Sequence, residues 1–172
     1  ELFNKKTFFK LSKNKKAKVV TSIAMFYDLQ DPNKFVSDIK DILTNDGIWV
    51  MEMYDVPTLI KSNAYDSICH EHITYMTLSH IEYLCKKNDL RIFKISVNKM
   101  NCGSIRYFIC HKDAYYKINN IYKYKKLEKI MNKKNIFLKF KKRIKKLSVA
   151  LKKKINALNR KNKIIHAYGA ST

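Results

Sequence analysis

Between Asp66 and His80 the chain reads DSICHEHITYMTLSH, a stretch that sets three histidines and a glutamate in a lysine-rich sequence. Two histidines two apart on a strand point to the same side, so His70 and His72 could share a metal ion. Such a site needs a third ligand, and His80 falls at the start of a helix; the HExxH pattern, which sets two ligands on one helical face, is absent. Acid–base chemistry asks for less. An imidazole titrates near neutrality, and a neighbouring carboxylate such as Glu71 raises its basicity and fixes its tautomer. Tyr75, three residues on, offers a phenol to a developing oxyanion. A solvated, hydrogen-bonding turn explains the same residues without chemistry. Spacing alone leaves the metal site, the acid–base pair and the turn all open.

Elements on either side decide where that stretch can sit. Ala17 to Phe26 (AKVVTSIAMF) is a β-branched run of the buried, parallel-strand type. Asp31 and Pro32 then suit the cap and first position of a helix whose apolar stripe is Phe35, Val36, Ile39, Ile42 and Leu43. A turn at Asn45 to Gly47 leads into a second buried strand, GIWVMEMY. Strand, capped helix, turn and strand form a βαβ unit. Leu78 to Asn88 reads as an amphipathic helix, and LRIFKISVN with CGSIRYFICHK as two strands joined by a turn at Lys99 to Gly103, an edge hairpin. From Tyr115 to Lys163, lysines alternate with Leu, Ile and Phe at three- and four-residue steps, the texture of one or two surface helices. Asn162 to Thr172 returns to strand character and ends in a Gly-plus-Ser/Thr loop.

Composition narrows the classes. The 172 residues are 46% hydrophobic and 12% aromatic, above a disordered composition. Net charge is +22, from 36 Lys and Arg against 14 Asp and Glu. That excess would attract polyanions, yet the lysines lack the arginine interleaving of a groove-reading surface, and genomic base bias explains them as solvated faces. The four cysteines, at 69, 85, 102 and 110, form no CxxC pair, which points to a reducing, cytoplasmic setting and away from a disulfide framework. No apolar run approaches a membrane span. With only three glycines, no GxGxxG loop exists. Both ends read as cut.

Five stretches in order resemble the sugar C-methyltransferases, which use S-adenosylmethionine on nucleotide-linked 4-keto-6-deoxy sugars. They are SIAMFYDLQDPNKFVSDI, DGIWVMEMY, YDSICHEHITYMTL, NKMNCGSIRYFICHKD and KIIHAYGAST. The resemblance implies an α/β chain in three pieces. Residues 1–113 would be the second half of a Rossmann-like methyltransferase sheet, 114–161 lysine-rich linker helices, and 162–172 the first strand of a second α/β domain. It further implies a zinc-binding N-terminal lobe and an acidic-glycine cofactor loop outside this chain. The fragment alone is therefore expected to be inactive and not to bind S-adenosylmethionine measurably.

By the same resemblance His72 is the general base, Glu71 its acidic neighbour, and His70 and Tyr75 aid substrate placement. Ser22, Ala24 and Met25 lie at the carboxyl end of the first strand, where ligands gather, and plain strand-end packing serves equally there. Asn101, Gly103, Ser104 and Arg106 match a substrate-contacting stretch, and Tyr168, Gly169 and Ser171 a nucleotide-contacting loop. Two positions depart from the family pattern. Cys102 stands where a first glycine is usual, and Met76 replaces one aromatic after HEH. Two rival readings remain: a basic, non-catalytic module binding nucleic acid or an anionic surface, and a metal-dependent hydrolase using His70 and His72. Oligomeric state is not legible.

Overall fold

The computed structural model describes residues 3–100, 103–129, 131 and 135–167. It divides into two compact units, Glu1–Lys133 and Lys134–Thr172. The first is α/β. Helix α1 (Lys5–Leu11) is capped by Asn4, whose side chain accepts from the Thr7 amide. Strand β1 (Ala17–Ile23) leads through a 3₁₀ turn at Phe26–Asp28 into helix α2 (Pro32–Ile42), where the Asp31 side chain accepts from the Lys34 amide at 2.9 Å and Pro32 opens the helix. Strand β2 (Leu43–Tyr54) follows without a break. The expected turn at Asn45 to Gly47 survives as an irregularity inside β2: Ala17 pairs with Leu43, but Val19 pairs with Ile48. The expected strand through Phe26 stops at Ile23, because Ala24 adopts a left-handed φ of 53° that turns the chain out of the ladder.

Helix α3 (Val56–Ser62) is capped by Asp55 and stopped by Asn63 in the left-handed region, where asparagine is tolerated. Helix α4 (Leu78–Lys87) precedes the hairpin of β3 (Leu90–Asn98) and β4 (Ser104–His111). The sheet order is β1-β2-β4-β3; β1 and β2 run parallel, and β4 is antiparallel to both its neighbours.

Register explains the core. Trp49, Met51 and Met53 of β2 lie opposite Ile109, Tyr107 and Ile105 of β4, so all six share one face, and all are buried. Phe26 and Phe35 pack on Trp49 at 5.8 and 6.1 Å between ring centres, which seats α2 on that face. Ile81 and Cys85 of α4 are buried, with α4 against β3. The opposite face carries Val19 and Ile23, both exposed, with half-buried Ile48, Val50 and Phe108. Helix α5 (Ile121–Glu128) belongs to the first unit, packed on β3 and α4 through Ile121 and the Lys125–Glu82 ion pair at 2.9 Å.

The second unit is built on helix α6 (Ile136–Asn159). Residues 163–167, expected to open a strand, are exposed and carry no ladder, since a strand needs a hydrogen-bonding partner and none is described beside them. Among the described residues no helix is long and apolar enough to cross a membrane.

Candidate active site at the strand ends

β1 and β2 are parallel and finish at the same end of the sheet; β4, being antiparallel, begins there. Tyr54, the last residue of β2, lies opposite Ser104, the first of β4. The Ala24 amide donates to the Glu52 carbonyl at 2.9 Å, which ties the chain leaving β1 to β2. Ala24 holds its left-handed backbone at a cost of about 1–2 kcal/mol for a residue with a Cβ. A strained strand end next to a ring cluster is where a functional constraint is expected.

That cluster consists of Tyr27, Tyr54, His72 and Tyr75. Tyr27 stacks on Tyr54 at 4.5 Å between centres. The imidazole of His72 lies 4.4 Å from Tyr27, 5.3 Å from Tyr54 and 6.4 Å from Tyr75. The Tyr54 hydroxyl donates to the Thr74 carbonyl at 2.8 Å, and the Thr74 amide donates to the Tyr27 carbonyl at 3.1 Å. The segment bearing His72 is thus pinned to both strand ends. Burial raises the pKa values of Tyr27, Tyr54 and Tyr75, so all three phenols stay protonated at neutral pH.

His72 Nδ1 lies 2.9 Å from the Ser67 carbonyl oxygen. A carbonyl only accepts, so the neutral ring carries its proton on Nδ1 and leaves the Nε2 lone pair available. That is the tautomer a general base needs. The orienting group is this carbonyl and not Glu71, which is exposed with no hydrogen bond to His72. The HEH stretch forms a turn and irregular backbone, so strand alternation does not bring His70 beside His72, and His70 is exposed. His80 sits in the first turn of α4, where its Nδ1 accepts from the Thr77 amide at 3.1 Å.

Other expected residues fall around this centre. The Ser22 hydroxyl is buried and accepts from the Trp49 indole at 2.9 Å, so it braces the core. Ala24 is exposed and Met25 half-buried at the strand end. Gly103 has a φ of +124°, and its carbonyl accepts from the Asp55 amide at 2.9 Å. The Ser104 hydroxyl is buried and donates to the Met100 carbonyl at 3.0 Å. Arg106 approaches Glu52, with Nε 2.7 Å and Nη2 2.5 Å from Oε2. Asn101, Tyr168, Gly169 and Ser171 lie outside the described residues.

Glu52 is the group that sequence reading missed. It is buried, and its second oxygen accepts from Asn98 Nδ2 at 3.0 Å. Burial acts to raise its pKa; the Asn98 amide and the Arg106 guanidinium outweigh burial and hold the carboxyl below its usual range. The signal was present: an acid inside the apolar strand WVMEMY demands a partner. Tyr27 and Tyr54 were equally readable as rings at strand ends.

Residues 2–95, more than half of the chain, match the family model described as a methyltransferase domain. The chain belongs to the methyltransferase-domain family. Residues 99–172 also match a model described as the C-methyltransferase C-terminal domain. A curated relative, the C-methyltransferase NovU of Streptomyces niveus, is 27% identical over 92 residues, a match that covers 54% of this chain and 22% of NovU. The chain thus spans about a fifth of that relative's length. Among solved structures it is similar to the LepI complex with SAM, with 11% identity, a TM-score of 0.47, and 56% and 27% of the two chains covered. It is also similar to SAH-bound CalO1, a methyltransferase in calicheamicin biosynthesis. There the identity is 15% and the TM-score 0.44, with 54% and 30% covered.

Proposed function

We propose that the chain is part of a C-methyltransferase acting on a carbon beside the ketone of a nucleotide-linked keto-deoxy sugar, with His72 as the base. The observation that carries this reading is the hydrogen bond from His72 Nδ1 to the Ser67 carbonyl, which leaves Nε2 as the free acceptor beside three protonated phenols. A carbon beside a ketone becomes nucleophilic when its proton is removed, and a donor to the enolate oxygen lowers the barrier. His72 Nε2 takes the proton. Tyr75 stands at the same centre, although its hydroxyl lies 3.4 Å from the Ser67 carbonyl and must rotate to serve the enolate. Arg106, anchored by Glu52, supplies charge toward the nucleotide-linked substrate.

When bound, S-adenosylmethionine, the donor this reading implies, supplies an electrophilic methyl. Ala24 and Met25 at the end of β1 are placed to line it, whereas the Ser22 hydroxyl is engaged by Trp49. In this reading residues 1–113 serve methyl transfer, 114–161 link, and 162–172 open the next domain.

The inactivity expected of the chain alone concerns methyl transfer, which needs the donor; proton removal does not, and can be read on this chain. The chain is incubated in deuterated water with a nucleotide-linked 4-keto-6-deoxy sugar, and exchange beside the ketone is followed by NMR. The native chain and Glu71→Gln are expected to exchange, and a folded His72→Gln chain to fall to the buffer rate. Exchange by His72→Gln at the native rate, or none by the native chain, removes the reading.

A further inference from the structure

The proposed reaction calls for a donor to the enolate oxygen as well as a base, and the reacting group must reach both at about 3 Å. The donor therefore stands beside His72. Three phenols do, and they are not equivalent. The Tyr54 hydroxyl donates to the Thr74 carbonyl at 2.8 Å. Tyr75 directs its hydroxyl to the Ser67 carbonyl, which already accepts from His72 Nδ1. Tyr27 remains. Its ring is the nearest of the three to the imidazole, at 4.4 Å between centres against 5.3 and 6.4 Å. Only 7% of its surface is exposed, and among the described residues its hydroxyl makes no hydrogen bond.

Every contact that fixes Tyr27 lies within residues 24–74. The left-handed turn at Ala24 takes the chain off β1 while its amide stays on the Glu52 carbonyl at 2.9 Å. The 3₁₀ turn Phe26–Asp28 follows, with Tyr27 at its centre, at the carboxyl end of a parallel strand where ligands gather. The Tyr27 carbonyl accepts from the Thr74 amide at 3.1 Å, and its ring stacks on Tyr54 at 4.5 Å. Burial holds the phenol in its protonated, donating form. A donor fixed before the substrate arrives needs no rearrangement as charge develops, whereas Tyr75 must leave Ser67.

We propose that the Tyr27 hydroxyl is the catalytic donor to the ketone oxygen, an assignment that rests on the reading of His72 as the base. As His72 Nε2 takes the α-proton, the C–H pair becomes the new C=C bond and the carbonyl pair moves onto oxygen. Tyr27 keeps its proton and hydrogen-bonds that oxygen. The test is the same deuterium exchange at saturating sugar, with Tyr27→Phe, which keeps the ring. Loss of one preorganised donor is expected to slow exchange about 100-fold or more. The urea midpoint is expected to stay at the native value, since the hydroxyl bonds nothing among the described residues. Tyr75→Phe is expected to lose less. With the ketone carbon isotopically labelled, its NMR resonance in the bound sugar should move upfield in Tyr27→Phe, because a hydrogen bond to the oxygen draws electron density off that carbon. Exchange at the native rate, an unmoved resonance, a lowered urea midpoint or a larger loss from Tyr75→Phe overturns the assignment and leaves the His72 reading standing. No exchange by the native chain removes both.

Discussion

Gly103→Ala tests the hairpin that delivers Ser104 and Arg106 to the strand ends. Two costs can be separated. At a φ of +124° any residue with a Cβ is strained, by about 1–3 kcal/mol. The added methyl would also stand 2.5 Å from Thr58 Cγ2 and 3.2 Å from Thr58 Cβ. Thr58 cannot turn away freely, because its hydroxyl donates to Asp55 Oδ2 at 2.5 Å and its amide to the same oxygen at 3.1 Å, the cap of α3. Rotating the methyl aside breaks that cap, and leaving it imposes overpacking of about 1–3 kcal/mol. The expected loss is therefore about 2–6 kcal/mol, measured by urea unfolding with the fluorescence of the fully buried Trp49 as the probe. Thr58→Ser keeps the capping hydroxyl and removes Cγ2. In a double-mutant cycle it should recover the packing part of the loss and none of the backbone part. A loss below about 0.5 kcal/mol for Gly103→Ala, or no coupling to Thr58, would refute this account of the turn.

Further outcomes are expected. The Glu52 carboxyl titrates below its ordinary value of 4.5 in the folded chain, so its contribution is fully present above that pH and is lost as pH falls toward the folded value. Glu52→Gln should thus be less stable than the native chain at neutral pH and indistinguishable in acid; a gap that persists in acid would show packing, not charge. Ser22→Ala leaves the Trp49 indole N–H unpaired in the core and should cost about 1–3 kcal/mol by the same unfolding assay. Tyr54→Phe removes the bond to the Thr74 carbonyl, about 1 kcal/mol, and should quicken hydrogen exchange of the Thr74 amide, which that segment donates to Tyr27.

Much of the α/β frame was legible because its signals are local. Asp31 followed by Pro32 marks a helix start, and alternating or continuous apolar runs mark β2, β3 and β4. Helices α1 and α3 escaped, although Asn4 and Asp55 are ordinary caps, because seven residues give too short a stripe to register as periodic. At the site, His72 and Tyr75 were readable as residue types. Their partners were not: Ser67 acts through a main-chain carbonyl that any residue could supply, and Tyr27 and Tyr54 arrive from other elements. Glu71 looked like the tuning group because it is adjacent in sequence, whereas adjacency in a turn does not bring side chains together. Arg106 was read as a substrate contact, and its attachment to Glu52 required the register between β2 and β4.

That register sets the order in which the molecule can be assembled. β4 is the last strand of the sheet to be synthesised, yet it occupies an interior position, with Tyr54 waiting fifty residues for Ser104 and Ile48 sixty-two for Cys110. Until residue 111 has left the ribosome, β2 has one flank unpaired and β3 has no partner, so Trp49, Met51 and Met53 face an unfinished wall. Non-local pairing of this kind is slow. A nascent chain stalled before β4 would present the bare edges of β2 and β3 and a half-built core, the substrate that holdase chaperones recognise.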